Sequence, residues 1–274
     1  MKERIFITVK TYPNLTNNNG ELVCTAGITE DGSWRRIYPV AFRDLESGEQ
    51  FKKYQWITVD LNSAAPRDKR PESRKINLGV PIVVEPVPQN QRHEIIFANT
   101  KVYTTRSELL DDMKKKRTSL AIFKPSEVLR MTSTPTAAEW DPKKLQAYKA
   151  REEQLDIFTF SEESRRKTRE AAQKIPFTFR YHFKDAEGHE IRMMVEDWEI
   201  GMLYLHSLKS PKCQSPEQAA EMTAEKYMKL ARERDIHFFL GTSWERQQKK
   251  SPDPFIIVGV YYPHKTETEQ MTMF

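Results

Sequence analysis

The amino-acid sequence predicts an α+β protein, in which a small antiparallel β-barrel is followed by a helical middle and a C-terminal α+β module. Three observations support this fold class. Short segments near the N-terminus alternate apolar and polar side chains, charged helical segments with capping residues follow, and strictly alternating aromatic strands return near the end. The predicted domains are a barrel over 1–130, a charged helical connector over 131–175 and a C-terminal module of hairpins and a helix over 176–274.

The barrel is predicted from alternating segments at residues 5–9, 22–28, 34–40 and 54–61. The tripeptide Glu-Asp-Gly at 30–32 is a turn signal, so the second and third segments are expected to form a hairpin. Residues 80–87 are apolar but contain Pro81 and Pro86, which suits an edge strand.

The middle of the chain predicts helices over 106–117, 142–155 and 161–174, with a short apolar strand at 119–123. Ser107, Asp141 and Ser161 are the expected capping residues, because their side chains accept hydrogen bonds from free backbone amides.

The C-terminal module begins with a predicted hairpin, formed by strands at 177–183 and 190–195. Ser215, Pro216 and Gln218 combine a cap, a proline at the first helical position and a capping-box residue, which predicts a helix to about Asp235. Strands at 237–241 and 255–262 complete the module.

Composition sets the broad class of protein. The net charge is +5 and the pI is near 9.0, a balance that weakly favours an acidic partner such as nucleic acid. Two cysteines are too few for a disulfide scaffold, and no apolar run approaches the roughly 20 residues that span a bilayer. The first residues predict a strand rather than a signal peptide, so a soluble cytoplasmic protein that binds no membrane is expected.

Several enzyme classes lack their motifs in this sequence. There is no phosphate-binding glycine-rich loop, no G-x-S-x-G nucleophile elbow and no spaced histidine pair. We therefore expect no bound cofactor and no metal site.

The hairpin at 24–40 carries the leading functional hypothesis. Residues two apart share one face of a strand, so Trp34, Arg36 and Tyr38 are predicted to lie together, opposite Arg35. An aromatic and cationic face can stack bases and neutralise phosphates. The alternative is that the aromatic residues are core and that Arg36 extends to solvent.

The same hairpin resembles the start of bacterial "dual OB-containing" proteins. The similarity is carried by Cys24-Thr25-Ala26-Gly27, Asp31-Gly32-Ser33-Trp34-Arg35 and Pro39-Val40, and by a later segment, 119–125. The sequence departs from that pattern where Arg36-Ile37-Tyr38 precedes Pro39. The resemblance, which covers at most the first 130 residues, implies tandem barrels of the OB or SH3-like type, a bacterial or phage origin and a nucleic-acid role.

Basic residues surround this hairpin. Between Arg35 and Lys75 there are ten basic residues and six acidic ones. A nucleic-acid groove needs such an excess, although a solvated face with local ion pairs has the same composition. The predicted nucleic-acid-binding residues are Trp34, Arg35, Arg36, Tyr38, Arg43, Lys52, Lys53, Arg67, Arg70 and Arg74.

Paired carboxylates give an enzymatic alternative, a metal-dependent nuclease or nucleotide-processing enzyme. Asp197 and Glu199, or Asp68 and Glu72, would hold Mg²⁺ or act as acid and base. Asp197 and Glu199 equally suit a helix start, where Asp197 caps the helix and Glu199 opposes the positive end of its dipole.

The sequence favours binding over catalysis. DNA or RNA is the expected partner, and Mg²⁺ enters only with the enzymatic alternative. A third hypothesis is a protein–protein adaptor that uses the aromatic strands of the C-terminal half, Phe238-Phe239 and Tyr261-Tyr262, although alternating aromatic residues on terminal strands are usually core.

Overall fold

The first sheet of the computed structural model closes into a barrel. The structure describes residues 2–16, 20–63, 68, 70–77, 79–158 and 170–265. The strands of this sheet are β1 (Lys2–Lys10), β2 (Asn14–Thr16), β3 (Gly20–Ile28), β4 (Trp34–Val40), β5 (Gln55–Ser63), β6 (Ser73–Ile76) and β7 (Val83–Pro86).

Barrel closure depends on β1, which is shared between two neighbours. Its first half, Lys2–Phe6, pairs with β5, and its second half, from Phe6 to Lys10, pairs with β3. The order is β1-β3-β4-β6-β5 and back to β1, with β4 and β6 parallel. This five-stranded Greek-key barrel confirms the predicted N-terminal barrel.

The rest of the chain builds a second, mixed sheet with helices. After α1 (Gln89–Phe97), its elements are β8 (Val102–Tyr103), α2 (Arg106–Lys116), β9 (Leu120–Phe123), β10 (Glu127–Pro135), α3 (Pro142–Phe158), β11 (Phe177–Lys184), β12 (Glu190–Val195), α4 (Trp198–Leu208), α5 (Pro216–Glu233), β13 (His237–Thr242), α6 (Trp244–Gln248) and β14 (Phe255–Tyr261).

The second sheet repeats the connectivity of the first. Its order is β10-β11-β12-β14-β13-β9-β8, and β12 and β14 are parallel. β9 and β10 are separated only by residues 124–126, so together they correspond to β1: β9 pairs with β13 and β10 pairs with β11. The chain at 124–126 therefore links β10, at one end of the sheet, to β9, which lies next to the short edge strand β8 at the other end. We call this curled sheet the second barrel, with β11 and β12 as its second and third strands.

The predicted domain limits differ from this pairing. The strands β8, β9 and the start of β10 fall within the expected 1–130 barrel, yet all three pair within the second sheet. The predicted helix at 142–155 is confirmed by α3. Of the helix predicted at 161–174, residues 161–169 lie outside the described residues and 170–174 are not helical.

Each barrel has its own apolar interior. In the first barrel, the interior cluster includes Ile5, Ile7, Val23, Ile37, Ile57, Val59 and Leu61. The interior cluster of the second barrel contains residues from every strand between β9 and β14 and from the helices α4 and α5. It includes Phe123, Tyr181, Phe183, Met193, Tyr204, Tyr227, Phe238 and Ile257.

A third apolar cluster lies between the barrels. On one side it contains outward side chains of the first barrel, such as Phe6, Ala26 and Ile28, and on the other Ile122 and Phe239 of the second. These residues are almost fully buried. Since burying one large apolar side chain contributes roughly 1.5–3 kcal/mol, this seam holds the two barrels together.

The hairpin glycines differ in what surrounds them. Gly32 and Gly188 both have left-handed backbone angles, with φ of +80° and +82°. A Cβ at Gly32 would lie 2.2 Å from the carbonyl oxygen of Asn99, whereas a Cβ at Gly188 would meet nothing within 4 Å. The β3–β4 turn therefore packs closely on the segment after α1.

We expect Gly188→Ala to cost about 1–2 kcal/mol of unfolding free energy, because only the left-handed conformation is penalised. Gly32→Ala should cost more, since it adds a clash with backbone. Urea denaturation followed by circular dichroism measures both. Gly48→Ala, whose Cβ would meet nothing within 4 Å, is the control. Equal losses for Gly32→Ala and Gly188→Ala would contradict the close packing.

Candidate functional site

The predicted aromatic and cationic face of β4 is mostly covered by the second barrel. Ile37 points into the first barrel and Trp34 and Arg36 point outward, as the alternation predicts. The Trp34 ring packs edge-on against Phe239, with 6.2 Å between centroids. Arg36 is 3% exposed, while Tyr38 is 37% exposed. The expectation of an open Trp34–Arg36–Tyr38 face is therefore wrong for Arg36, whereas Trp34 is half-buried and Tyr38 is exposed.

Arg36 instead belongs to a buried polar contact between the barrels. Its Nη2 donates to the carbonyl oxygen of Ser119 at 3.0 Å, and its Nη1 lies 3.6 Å from Cys24 Sγ. Burial lowers the pKa of this guanidinium from its ordinary value. The contact fixes β4 against the start of β9.

The carboxylates of the 68–75 loop serve the same contact. Glu72 accepts hydrogen bonds from the backbone amide of Ser119 at 2.9 Å and from its hydroxyl at 2.6 Å. Asp68 pairs with Arg70 at 2.7 Å, and Arg70 also donates to the carbonyl oxygen of Thr242. Glu72 thus joins the barrels directly, and Asp68 does so through Arg70.

Other predicted binding residues are engaged in local contacts. Arg35 pairs with Glu3, and Arg43 pairs with Glu21 at 2.7 Å. Arg74 donates to the carbonyl oxygens of Pro71 and Ser73. Lys52 is exposed, and Arg67 lies outside the described residues. The basic excess around the hairpin is therefore mostly neutralised by ion pairs or used in backbone contacts.

Lys53 and Asp197 form a buried ion pair between the barrels. The Lys53 Nζ lies 3.0 and 3.2 Å from the two Asp197 oxygens, and the side chains are 3% and 0% exposed. Glu199 lies 2.8 Å from the same Nζ. Burial alone would lower the pKa of Lys53, but the neighbouring carboxylates outweigh it and raise that pKa.

Asp197 also caps α4. It accepts hydrogen bonds from the backbone amides of Glu199 and Val260, both at 3.2 Å. The helix-start interpretation of Asp197 and Glu199 is confirmed, because Asp197 is the N-cap of α4 and Glu199 lies in its first turn. Burial raises the pKa of this carboxyl group. His182, on β11, contacts the Thr132 hydroxyl of β10.

The face of the second barrel formed by β10, β11 and β12 is exposed and basic. Arg130 pairs in register with His182, and His182 with Arg192, so these three residues cross the three strands in one row. Arg180 lies two residues before His182 on the same face. Among the described residues, no carboxylate forms an ion pair with any of these three arginines.

The basic face has electrostatic consequences. Partial burial, together with Arg130 and Arg192, lowers the pKa of His182. Burial and the charges of Arg192 and Arg246 likewise lower the pKa of Arg180. Glu190, an acidic neighbour of His182, acts in the opposite direction and offsets part of the lowering of the His182 pKa. Residues 177–183 alternate aromatic side chains, which point inward, with Thr178, Arg180 and His182, which point outward. The two basic residues on the outward side were the sequence signal for this face.

A separate cleft opens where the barrels meet. Its volume is about 490 Å³. It is lined by Lys10, Lys52, Lys53, Tyr54, Gln89, Arg92, Trp198, Glu199, Tyr261, Tyr262 and Pro263. Lys52, Lys53 and Glu199 are among the site residues predicted from the sequence. The cleft itself could not be predicted, because its lining residues come from five segments that lie far apart in the sequence.

The aromatic strands proposed for an adaptor are largely buried. Phe238 lies in the interior of the second barrel, and Phe239 lies in the seam between the barrels. Tyr261 also packs in that seam, while Tyr262 lines the cleft.

One turn brings possible metal ligands together. Among the described residues, Asp185, Glu187 and His189 are the group whose ligand atoms lie within 4.8 Å of one another. Asp185 is committed to the hairpin turn, because it accepts hydrogen bonds from the backbone amides of Arg106, Glu187 and His189.

No helix among the described residues is both long and apolar enough to cross a membrane.

Residues 102–274 match a family described as Domain of unknown function (DUF8757). The chain belongs to this family. Residues 1–98 match a second family model, Domain of unknown function (DUF8758). The two matches meet between α1 and β8, where strand pairing changes from the first sheet to the second.

The chain is also similar to individual solved structures. A murine DNA-binding protein, solved bound to double-stranded DNA, aligns with 96% of this chain and 94% of its own length, at 8% identity and a TM-score of 0.30. No curated protein matches the chain significantly.

The buried ion pair gives a stability prediction. Asp197→Asn should lower the free energy of unfolding by about 3–5 kcal/mol, because it removes the fully buried counter-charge of the Lys53 ammonium and leaves only the partly exposed Glu199 beside it. Glu199→Gln, whose side chain is 41% exposed, should cost about 0–1 kcal/mol. Urea denaturation compares the two variants. A small effect of Asp197→Asn, equal to that of Glu199→Gln, would show that the pair is not the dominant contact.

Proposed function

We propose that this protein binds nucleic acid, either DNA or RNA, through the exposed β10–β11–β12 face of its second barrel. The observation that carries this proposal is the set of three arginines, Arg130, Arg180 and Arg192, which share one exposed sheet face without acidic partners among the described residues. A cluster of uncompensated cations on one surface is the electrostatic footprint of phosphate binding.

The position of this face supports the proposal. Barrels of the OB type bind oligonucleotides on the face of their second and third strands. β11 and β12 hold these positions in the second barrel. The corresponding face of the first barrel, β3 and β4, packs against the second barrel, which is why Arg36, first expected to bind, is buried and Trp34 is half-buried.

The chemistry of the face favours contacts with the phosphate backbone. The row from Arg130 across His182 to Arg192 spans two strand spacings, roughly 10 Å. The aromatic side chains of β11 point into the barrel, so the outward face offers cations and threonine hydroxyls rather than stacking rings. Binding is therefore expected to depend strongly on salt and weakly on sequence.

The double variant Arg180→Gln/Arg192→Gln tests the proposal. With fluorescently labelled single-stranded DNA, single-stranded RNA and duplex DNA, anisotropy should show at least about tenfold weaker binding by the variant at low salt, since two charge-assisted contacts are lost. The slope of log K against log salt concentration should fall by about 0.7 per lost contact on single strands and about 0.9 on a duplex.

Arg232→Gln is the matched control, since it removes an exposed arginine from α5 rather than from the sheet face. It should leave affinity and salt slope close to those of the wild type. If all three nucleic acids fail to bind the wild-type protein at low salt, the proposal is wrong. An Arg232→Gln effect equal to that of the double variant would move the site away from the β10–β12 face.

A further inference from the structure

The cleft between the barrels lies apart from the proposed nucleic-acid face and has its own charge imbalance. Four basic residues line it, Lys10, Lys52, Lys53 and Arg92. They are opposed by Glu199 in the lining and by Asp197 behind it. The cleft therefore carries an excess of positive charge, which suits an anionic ligand.

Lys10 contributes a buried cation to that excess. Its side chain is 7% exposed, and its Nζ lies 4.0 Å from the ring centre of Phe42 and 4.1 Å from that of Trp198. It has one hydrogen bond, to the carbonyl oxygen of Phe51 at 3.4 Å, and no carboxylate pairs with it among the described residues. An ammonium group has three donors, so this buried cation retains capacity for an anion.

Aromatic side chains line the same cleft beside Lys10. Tyr54 lies under the Arg92 guanidinium, at 5.3 Å, and packs against Tyr261. The Tyr262 ring has no ring-to-ring partner among the described aromatic residues and is only partly buried. The base of a nucleotide is planar and can stack on such a ring.

We propose that this cleft binds a phosphorylated nucleoside, with its phosphate at Lys10 and Lys52 and its base against Tyr262. The cleft volume of about 490 Å³ lies within the ordinary range for small-ligand sites, roughly 300–1,000 Å³. Lys53 is saturated by Asp197 and Glu199 and serves as a structural residue of the wall. The ligand is either a free nucleotide or the phosphorylated end of a strand.

Isothermal titration calorimetry of the full chain with AMP, UMP, adenosine and inorganic phosphate tests the chemistry. Both nucleotides should bind, while adenosine and phosphate should bind at least about tenfold more weakly, since each lacks one half of the interaction. Lys10→Met should weaken AMP binding at least about tenfold. Lys229→Met, an exposed lysine on α5, is the control and should bind AMP like the wild type.

Circular dichroism checks that Lys10→Met folds, and Lys52→Met, at an exposed position, provides a second test. Unchanged AMP affinity in Lys52→Met and in folded Lys10→Met, or no AMP binding by the wild type at millimolar concentration, overturns the proposal. Arg180→Gln/Arg192→Gln should retain AMP binding, so failure of the nucleic-acid proposal and failure of this one are distinguishable.

A pH series gives a readout that a purely structural lysine would not. Burial lowers the pKa of Lys10 to about 8, with Glu199 and Asp197 opposing that shift and Lys53 and Lys52 adding to it. Raising the pH through this value removes the charge, so wild-type affinity for AMP should fall between pH 7 and 9. The residual affinity of Lys10→Met should show no such step; a step of equal size there would contradict the role of Lys10.

Competition separates the two sources of the ligand. A decamer of thymidylate with a 5′-phosphate is compared with the same strand carrying a 5′-hydroxyl, each with and without AMP. If AMP weakens binding of the phosphorylated strand alone, the strand end occupies the cleft. If AMP displaces neither strand, the cleft takes the free nucleotide.

Discussion

The apolar seam between the barrels is the constraint on which the rest of the structure depends. Outward residues of β1 and β3 pack against those of β9, β13 and β14, so each barrel uses one of its outer walls as core. This packing decides which surfaces remain available. It covers the β3–β4 face, leaves β10–β12 open to solvent, and creates the cleft at the edge of the contact.

Buried polar groups fix the orientation of that seam. The Lys53–Asp197 pair and the Arg36–Ser119–Glu72 contact each join residues of the two halves. Apolar contact alone is non-directional and tolerates small rotations. A buried charge without its partner is costly, so rotation of one barrel on the other is penalised wherever it would separate these groups.

Local patterns were sufficient to predict the first barrel, and insufficient to predict the surface that we propose for nucleic-acid binding. Alternation along 34–40 correctly placed Trp34 and Arg36 on the outward side of β4. The same alternation is expected whether that side faces water or packs against another barrel, so the sequence pattern does not distinguish the two. The acidic partners of Arg35 and Arg43 come from β1 and β3, and the counter-charges of Lys53 come from α4, far along the chain. Local patterns did not predict the second barrel, which only the family resemblance implied, because β9 and β10 act as one strand interrupted at 124–126 and appear in sequence as two short unrelated segments.

The position of Asp197 has a consequence for dissecting the protein into pieces. One carboxylate caps α4, binds the last strand through Val260 and neutralises a lysine of the first barrel. A cut between α1 and β8 would give two fragments of nearly complete sheets, yet each would expose an apolar wall, and one would carry an uncompensated Lys53. The two barrels thus form a single cooperative folding unit rather than independent modules on a tether.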